Sequence, residues 1–434
     1  MDSVKTFYIY TLGCKVNRYE SEAMAALLSE SGRYAAISDK DKYRADVFVL
    51  NSCIVTEESE KKAFKIIRRY RRENPDGTLV FCGCMPQALY EKSKTAEADV
   101  LFGNKERGRL FELLDKYFAD GRQQIDAFEK HTPDDKFEIL APKSYESLTR
   151  ANLKIEDGCN RYCAYCLIPF ARGPVRSMPL AEIRKQASTL VAEGHREIVI
   201  TGINLCMYGT DIKSSLKEAV EAVLESGVER VRLGSLEADI IDDELLDYLA
   251  GVPQFCPQFH ISMQSGSDTV LKRMNRHYTV SEYEALVRKI KAKFDNPTIT
   301  TDIIVGFEGE TEKEFSDSCE TAKMIGFTKI HIFPYSVRQG TKAAESKNQL
   351  APEIKRQRAL RLFEIGENIK KDFYESQKET VHSVLFEKFD GMYNCGHTKN
   401  FMYVKVLSDK SMENEIADVK ITDFDDEECY GSLI

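Results

Sequence analysis

At 434 residues, with 42% hydrophobic and 30% charged side chains, the chain has the composition of a folded protein of several domains, since a single core seldom organises more than roughly 250–300 residues. No apolar run reaches the roughly 20 residues a membrane helix needs. The first residues run straight into a strand rather than a secretion leader, so a cytoplasmic protein without a membrane partner is expected. The net charge of −9 argues against a wholly basic nucleic-acid binder and leaves room for a local basic face.

Thr6–Tyr10 reads as a strand, Asn17–Ser29 as a helix with Ala23, Ala26 and Leu27 on one face, and Ala45–Leu50 as a strand. Glu57–Arg72 is a long polar helix stopped by Asn74-Pro75-Asp76-Gly77, and Thr78–Phe81 is another strand. Residues 1–120 are therefore expected to form a small α/β domain with a mostly parallel sheet. Residues 121–148 carry no clear period and read as a linker. From Ala151 strands and helices alternate, with strands at Ala151–Glu156, Glu197–Thr201, Arg230–Gly234, Gln258–Met263, Thr298–Val305 and Thr328–Phe333. Six such units over 149–374 predict a partial (β/α)6 barrel, with chemistry at the C-terminal ends of its strands. After a helix at Glu353–Ser376, short strands at Val381–Phe386, Phe401–Leu407, Glu415–Ile421 and Cys429–Ile434 predict a small antiparallel β-barrel over 375–434, OB-like in kind. The fold class is α/β with this β-barrel appended.

The chain has twelve cysteines. In a reducing compartment, clustered cysteines point to metal or redox chemistry rather than to disulfides. Cys159, Cys163 and Cys166 form a CxxxCxxC loop directly after the first barrel strand. Three thiolates at this spacing can ligate three irons of a 4Fe-4S cube, and no fourth cysteine follows at ferredoxin spacing, so one iron stays open. A zinc knuckle is the competing reading; zinc sites favour paired CxxC or histidine, and no histidine lies near in sequence. Cys14, Cys53 and Cys84 each follow a predicted strand of the N-terminal domain. The ends of parallel strands converge on one edge, where three thiolates can hold a second cube. Cys82 competes with Cys84 for the third place, because alternate residues share a face if the strand extends that far. Arg172 and Arg176, after the loop, can meet phosphate, a carboxylate ligand or nearby acids.

The CxxxCxxC loop, with aromatic Tyr165 before its last cysteine, resembles the defining motif of the radical S-adenosylmethionine (SAM) superfamily. Together with the three N-terminal cysteines it is similar to the radical-SAM methylthiotransferases, over nearly the whole chain. Other matching stretches are Thr201-Gly-Ile-Asn-Leu205, Arg232-Leu-Gly-Ser-Leu-Glu237, Ser262-Met-Gln-Ser-Gly-Ser267 and Lys272-Arg-Met-Asn-Arg276. Gly-Cys-Lys-Val-Asn17 looks like the MtaB type, whose members modify C2 of N6-threonylcarbamoyladenosine beside the tRNA anticodon. Two departures are small: Ser52 where Thr is usual and Glu308 where Pro is usual.

The resemblance implies two 4Fe-4S clusters, with Cys84 and not Cys82 as third N-terminal ligand. It also implies that SAM chelates the open iron and is cleaved to a 5′-deoxyadenosyl radical, that a second SAM supplies a methyl group, and that residues 375–434 are a TRAM domain. Tyr165, Gly202, Asn204, Ser235, Glu237 and Gln264 are candidate SAM contacts, and no side chain is an obvious general base. The expected partners are the anticodon stem-loop of tRNA and an electron-donor protein.

A basic face on the Glu57–Arg72 helix, with Lys61, Lys65, Arg68 and Arg72, suits a phosphate backbone, or is a solvated surface. The C-terminal barrel carries 12 acidic residues against 6 lysines from Ser376 onward, which does not favour RNA binding overall. A local face with Lys399, Phe401, Tyr403 and Lys405 still can stack on bases. Two alternatives stand beside the main reading. One is methylthiolation of isopentenyladenosine or of a ribosomal-protein side chain; the other is a non-catalytic iron–sulfur RNA-binding protein.

Overall fold

The computed structural model describes residues 4–105, 107–142 and 149–434, so the last six residues of the expected linker, 143–148, lie outside the described residues. The chain divides into two compact units. One holds residues 1–146 with 156–178 and 337–344; the other holds 147–155, 179–336 and 345–434. The CxxxCxxC loop thus packs in the same unit as the N-terminal cysteines.

The first unit is built on a six-stranded, all-parallel sheet. Its strands are β1 (Lys5–Thr11), β2 (Tyr34–Ala36), β3 (Val47–Ser52), β4 (Thr78–Gly83), β5 (Val100–Leu101) and β6 (Ile125–Asp126), in the spatial order β2-β1-β3-β4-β5-β6. β3 and β4 are buried at every position, as the continuous apolar runs of a parallel sheet covered on both faces should be. Helix α1 (Lys15–Glu30) follows β1, α2 (Glu57–Glu73) follows β3, and α3 (Cys84–Ala88) follows β4. Thr56 caps α2 by accepting from Ser59 N, and Glu57, Glu58 and Glu60 occupy its first turn, where negative charge suits the helix dipole. The two-residue strands β5 and β6 and the three-residue β2 are too short to leave a period in the sequence.

In the second unit six parallel strands recur at the expected places. Arg150–Lys154, Glu197–Thr201 and Arg230–Leu233 form one sheet, and Ser235–Leu236, Gln258–Ile261, Thr298–Val305 and Lys329–Pro334 form the other. The third strand is shared: it passes from the first sheet to the second at Gly234. The expected strand Ala151–Glu156 is also divided. Its last residue, Glu156, instead joins Asp157 in a separate two-residue strand paired antiparallel with Arg176–Ser177 in the first unit.

The C-terminal segment closes into a five-stranded barrel: Val381–Phe389, Tyr393–Thr398, Tyr403–Leu407, Ile416–Phe424 and Cys429–Leu433. Tyr393–Thr398 is a strand not expected from the sequence. Its Asn, Cys, Gly and His residues conceal the alternation, and Gly396 is required because a Cβ there would lie 2.0 Å from the Leu385 carbonyl oxygen. This barrel docks on the N-terminal ends of the parallel strands. Arg230 donates to the carbonyls of Ser383 (2.9 Å) and His397 (3.1 Å), and Arg232 to that of Lys399 (2.9 Å). Both arginines share the wholly buried Glu197 with Arg150, at 2.8 Å from Arg232 Nε and 2.9 Å from Arg150 Nε. Those guanidinium groups hold the Glu197 carboxyl down at about 2 against the upward push of burial.

Candidate functional site

Parallel order alone brings three of the cysteines together. β1, β3 and β4 are neighbours in the sheet, and Cys14, Cys53 and Cys84 sit just past their C-terminal ends. Asn17, on the first turn of α1, ties them: the Cys14 and Cys84 thiols lie 3.6 and 3.9 Å from its Oδ1. Its amide donates to the carbonyls of Leu12 (2.9 Å) and Ser52 (3.0 Å), which pins the ends of β1 and β3. Gly13, at φ +118°, lets the chain turn there, and a Cβ on it would come 3.0 Å from the Cβ of Cys53. Burial, then the neighbouring Cys84, pushes the Cys53 thiol up to about 12.

Cys82 belongs elsewhere. The strand ends at Gly83, whose φ of +98° reverses the chain, so the alternation that would align Cys82 with Cys84 fails. Cys82 packs with Phe7, Val49, Val80 and Phe102 on one face of the sheet, while Cys84 packs with Cys53, Ile54 and Phe81 on the other. A cleft of about 700 Å³ opens beside Cys14, edged by Thr11, Gly13, Lys15, Arg18 and Lys42.

Cys159, Cys163 and Cys166 are all partly exposed. Cys159 N donates to the Gly173 carbonyl (3.1 Å), Cys166 N to that of Cys163 (3.0 Å), and Ile168 N points at Cys166 Sγ (3.4 Å). Arg176 stitches the loop by donating to the carbonyls of Arg172 (2.8 Å) and Pro174 (2.9 Å). Tyr165 lies partly exposed in the turn. Of the three partners open to Arg172 and Arg176 in the sequence, the structure supplies nearby acids: Arg172 meets Glu20 and Asp157, and Arg176 meets Asp157.

Arg172 also reaches the N-terminal triad. Its Nε donates to Cys84 Sγ at 3.3 Å and its Nη2 to Asn17 Oδ1 at 2.7 Å. Asn104 adds a second link, with its amide 3.7 Å from Cys84 Sγ and 2.7 Å from the Ala171 carbonyl. Sequence reasoning missed Asn17, Glu20 and Asn104. Only Asn17 left a trace, as the last residue of Gly-Cys-Lys-Val-Asn.

Among the described residues no three His, Cys, Asp or Glu side chains close on one point as the ligands of a single metal ion do. A cube makes a different demand, since each of its cysteines takes a separate iron. Soft sulfur donors, with Cys53 and Cys84 buried, Cys14 exposed and the other three partly exposed, and the Arg172 guanidinium beside Cys84 suit such a group. The donor set fits.

In the second unit the remaining candidates lie past the C-terminal ends of the parallel strands: Gly202 and Asn204 after the second, Ser235 and Glu237 at and beyond the third, Gln264 after the fourth. Asn204 Nδ2 donates to Glu237 Oε2 (2.7 Å), and Arg276 pairs with Glu237 Oε1 (2.9 Å). Arg276 was not singled out, although it ends the quoted Lys272–Arg276 stretch. Gln264 holds φ +67°, which costs a non-glycine residue energy, and it is fixed there by backbone bonds with Asp302 O (2.8 Å) and Ile304 N (2.9 Å). His260 bonds Thr300 Oγ1 (3.0 Å) and Asp302 Oδ2 (3.2 Å), consistent with a packed polar residue.

On α2 the basic residues divide. Lys61 pairs with Glu57, Arg69 and Arg72 meet Glu73, and Arg71 pairs with Asp99. Lys62, Lys65 and Arg68 project exposed.

Residues 153–322 match the Radical SAM superfamily, and residues 6–103 match a family described as Uncharacterized protein family UPF0004. The chain is 36% identical over 427 residues to the "Threonylcarbamoyladenosine tRNA methylthiotransferase MtaB" of Bacillus subtilis, covering 96% of this chain and 93% of that one. It is 31% identical over 445 residues to a "tRNA-2-methylthio-N(6)-dimethylallyladenosine synthase" of Finegoldia magna, covering 99% and 94%. Among solved structures, the radical S-adenosylmethionine methyltransferase TsrM from Kitasatospora setae superposes with a TM-score of 0.57 at 14% identity, over 79% of this chain and 77% of that one, a likeness of fold.

Proposed function

The chain belongs to the radical-SAM methylthiotransferases, and from that membership we propose that it converts N6-threonylcarbamoyladenosine beside the tRNA anticodon to its 2-methylthio derivative. The observation that carries the reading is the packing of two cysteine triads into one compact unit, with Arg172 of the second triad's loop bonded to Cys84 of the first. The choice of base is supported by the Gly-Cys-Lys-Val-Asn loop and by 33–38% identity to relatives named for that base, against 31–33% for those named for the dimethylallyl base. That second base is the alternative.

C2 of adenine carries a C–H bond that no acid–base side chain breaks at a useful rate. When bound, the 4Fe-4S clusters and SAM supply the carbon radical and the methylthio group for this step. Cys159, Cys163 and Cys166 would hold one cluster, and Cys14, Cys53 and Cys84 the other. Asn204 and Glu237, locked together and to Arg276, present a fixed donor and acceptor pair suited to the hydroxyls of a ribose; Gly202 admits close backbone approach, and Ser235 and Gln264 are the other SAM contacts proposed in the second unit. The exposed Lys62, Lys65 and Arg68 would follow the tRNA backbone.

We divide the chain into a methylthiotransferase domain (1–120), the radical-SAM core (149–374) and a TRAM domain (375–434); the segment 121–148, expected as a linker, instead adds β6 (Ile125–Asp126) to the N-terminal sheet. An electron-donor protein would supply the reductant, and the cytoplasm is the expected location. Among the described residues no helix is long and apolar enough to cross a membrane.

Two measurements test the reading. Anaerobically reconstituted protein with dithionite and SAM should release 5′-deoxyadenosine, and its absence would leave a non-catalytic iron–sulfur RNA binder. Mass spectrometry of nucleosides from tRNA treated with the enzyme should show a 2-methylthio group on the threonylcarbamoyl base; the group on the dimethylallyl base instead would select the alternative.

A further inference from the structure

Arg172 ends the short helix Ile168–Arg172 that closes the CxxxCxxC loop, and its side chain is completely buried. Its contacts are specific to each nitrogen. Nη1 meets Glu20 Oε1 at 2.5 Å and both Asp157 oxygens at 3.2 Å; Nη2 meets Glu20 Oε2 at 3.0 Å and Asn17 Oδ1 at 2.7 Å; Nε meets Cys84 Sγ at 3.3 Å. Two carboxylates therefore hold the guanidinium plane, and Arg107 anchors Glu20 in turn at 2.9 Å. The third edge of that plane is delivered to a sulfur. Ion pairing alone would be satisfied by Glu20 and Asp157, and does not require Nε to face a thiol.

We propose that Arg172 is a positioning residue that sets the reduction potential of the N-terminal cluster. The inference rests on the assignment of Cys14, Cys53 and Cys84 as its ligands. An N–H donor and a positive charge at a ligand sulfur stabilise the more negative, reduced state of a cluster and so raise its potential. The effect is large where water is excluded, because charges interact strongly at low dielectric. Asn104 adds a weaker neutral donor to the same sulfur. The loop that carries Cys159, Cys163 and Cys166 thus adjusts the redox behaviour of the other triad through a residue six positions beyond Cys166.

The test uses the full chain carrying Cys159→Ala, Cys163→Ala and Cys166→Ala, so that the N-terminal cluster is the only one present. Arg172→Lys and Arg172→Gln are added separately to this background. Anaerobic redox titration followed by EPR gives the midpoint, and iron is counted on the same samples. The parent should hold about four irons per chain. Both variants should keep that iron and shift the midpoint to more negative potential, Gln further than Lys, because Lys retains the charge but not the Nε donor. An unchanged midpoint in a variant that keeps its iron overturns the proposal. Loss of iron from both variants also overturns it, since Arg172 is then a structural tie only. A parent without iron fails differently: it refutes the ligand assignment itself.

Discussion

Cys82 and Cys84 lie two positions apart on opposite faces of the N-terminal sheet, separated by the reversal at Gly83. Cys82 is part of an apolar core and Cys84 part of the thiol group at the strand ends. In the reconstituted protein, Cys84→Ala should remove about four of about eight irons per chain, and Cys82→Ala should remove none. Cys82→Ala should instead cost about 1 kcal/mol of stability for the lost core sulfur. Iron analysis and thermal unfolding of the two variants separate the roles; equal iron loss from both would return Cys82 to candidacy.

Gly158 holds φ +91° immediately before Cys159, and a Cβ on it would lie 1.9 Å from the Pro174 carbonyl oxygen. Backbone cannot yield as a flexible side chain does. Gly158→Ala should therefore displace the CxxxCxxC loop, lose about four irons and abolish SAM cleavage. The N-terminal thiols sit on the sheet rather than on this loop, so iron at Cys14, Cys53 and Cys84 should persist. Retention of the full iron content and of 5′-deoxyadenosine release would show that the loop tolerates the change.

Glu197 is the single buried acid shared by Arg150, Arg230 and Arg232, where the C-terminal barrel docks. Breaking such a group by removing one partner typically costs about 3–5 kcal/mol. Glu197→Gln should lower stability by roughly that amount and raise hydrogen exchange in the strands at Ser383 and His397. Its folded-state pKa lies below the ordinary value of 4.5, at about 2. The carboxylate's contribution is thus complete above about pH 4.5 and is lost as pH falls toward about 2. The stability gap between wild type and variant should be flat at neutral pH and narrow only across that acid window. Denaturant titrations from pH 7 to pH 3 check this, and a gap that widens with acid would contradict it.

Lys62, Lys65 and Arg68 are the exposed basic residues of α2 that the neighbouring acids leave available for phosphate. Replacing all three by alanine should weaken tRNA binding and reduce the magnitude of the slope of log affinity against log salt by about 2–3. SAM cleavage in the absence of tRNA should not change. An unaltered salt slope would mean that this helix face is solvated surface.

Much of this protein is legible in its amino-acid sequence. Repeating strand and helix lengths announce the six-strand barrel, because burial imposes one period on strands and another on helices, and both periods are written locally. The CxxxCxxC loop is equally plain, since three ligands from one short loop are close in sequence as well as in space. Tyr393–Thr398 and the strands of two or three residues leave no such signal, because they are too short or too irregular to carry a period. The tertiary structure alone decides what depends on long-range packing: that β1, β3 and β4 are neighbours, that Gly83 turns Cys84 away from Cys82, and that Arg172 meets Glu20, Asn17 and Cys84, whose positions lie 152, 155 and 88 residues away. A buried arginine takes its meaning from the charges the fold places around it, and no local pattern encodes which ones arrive.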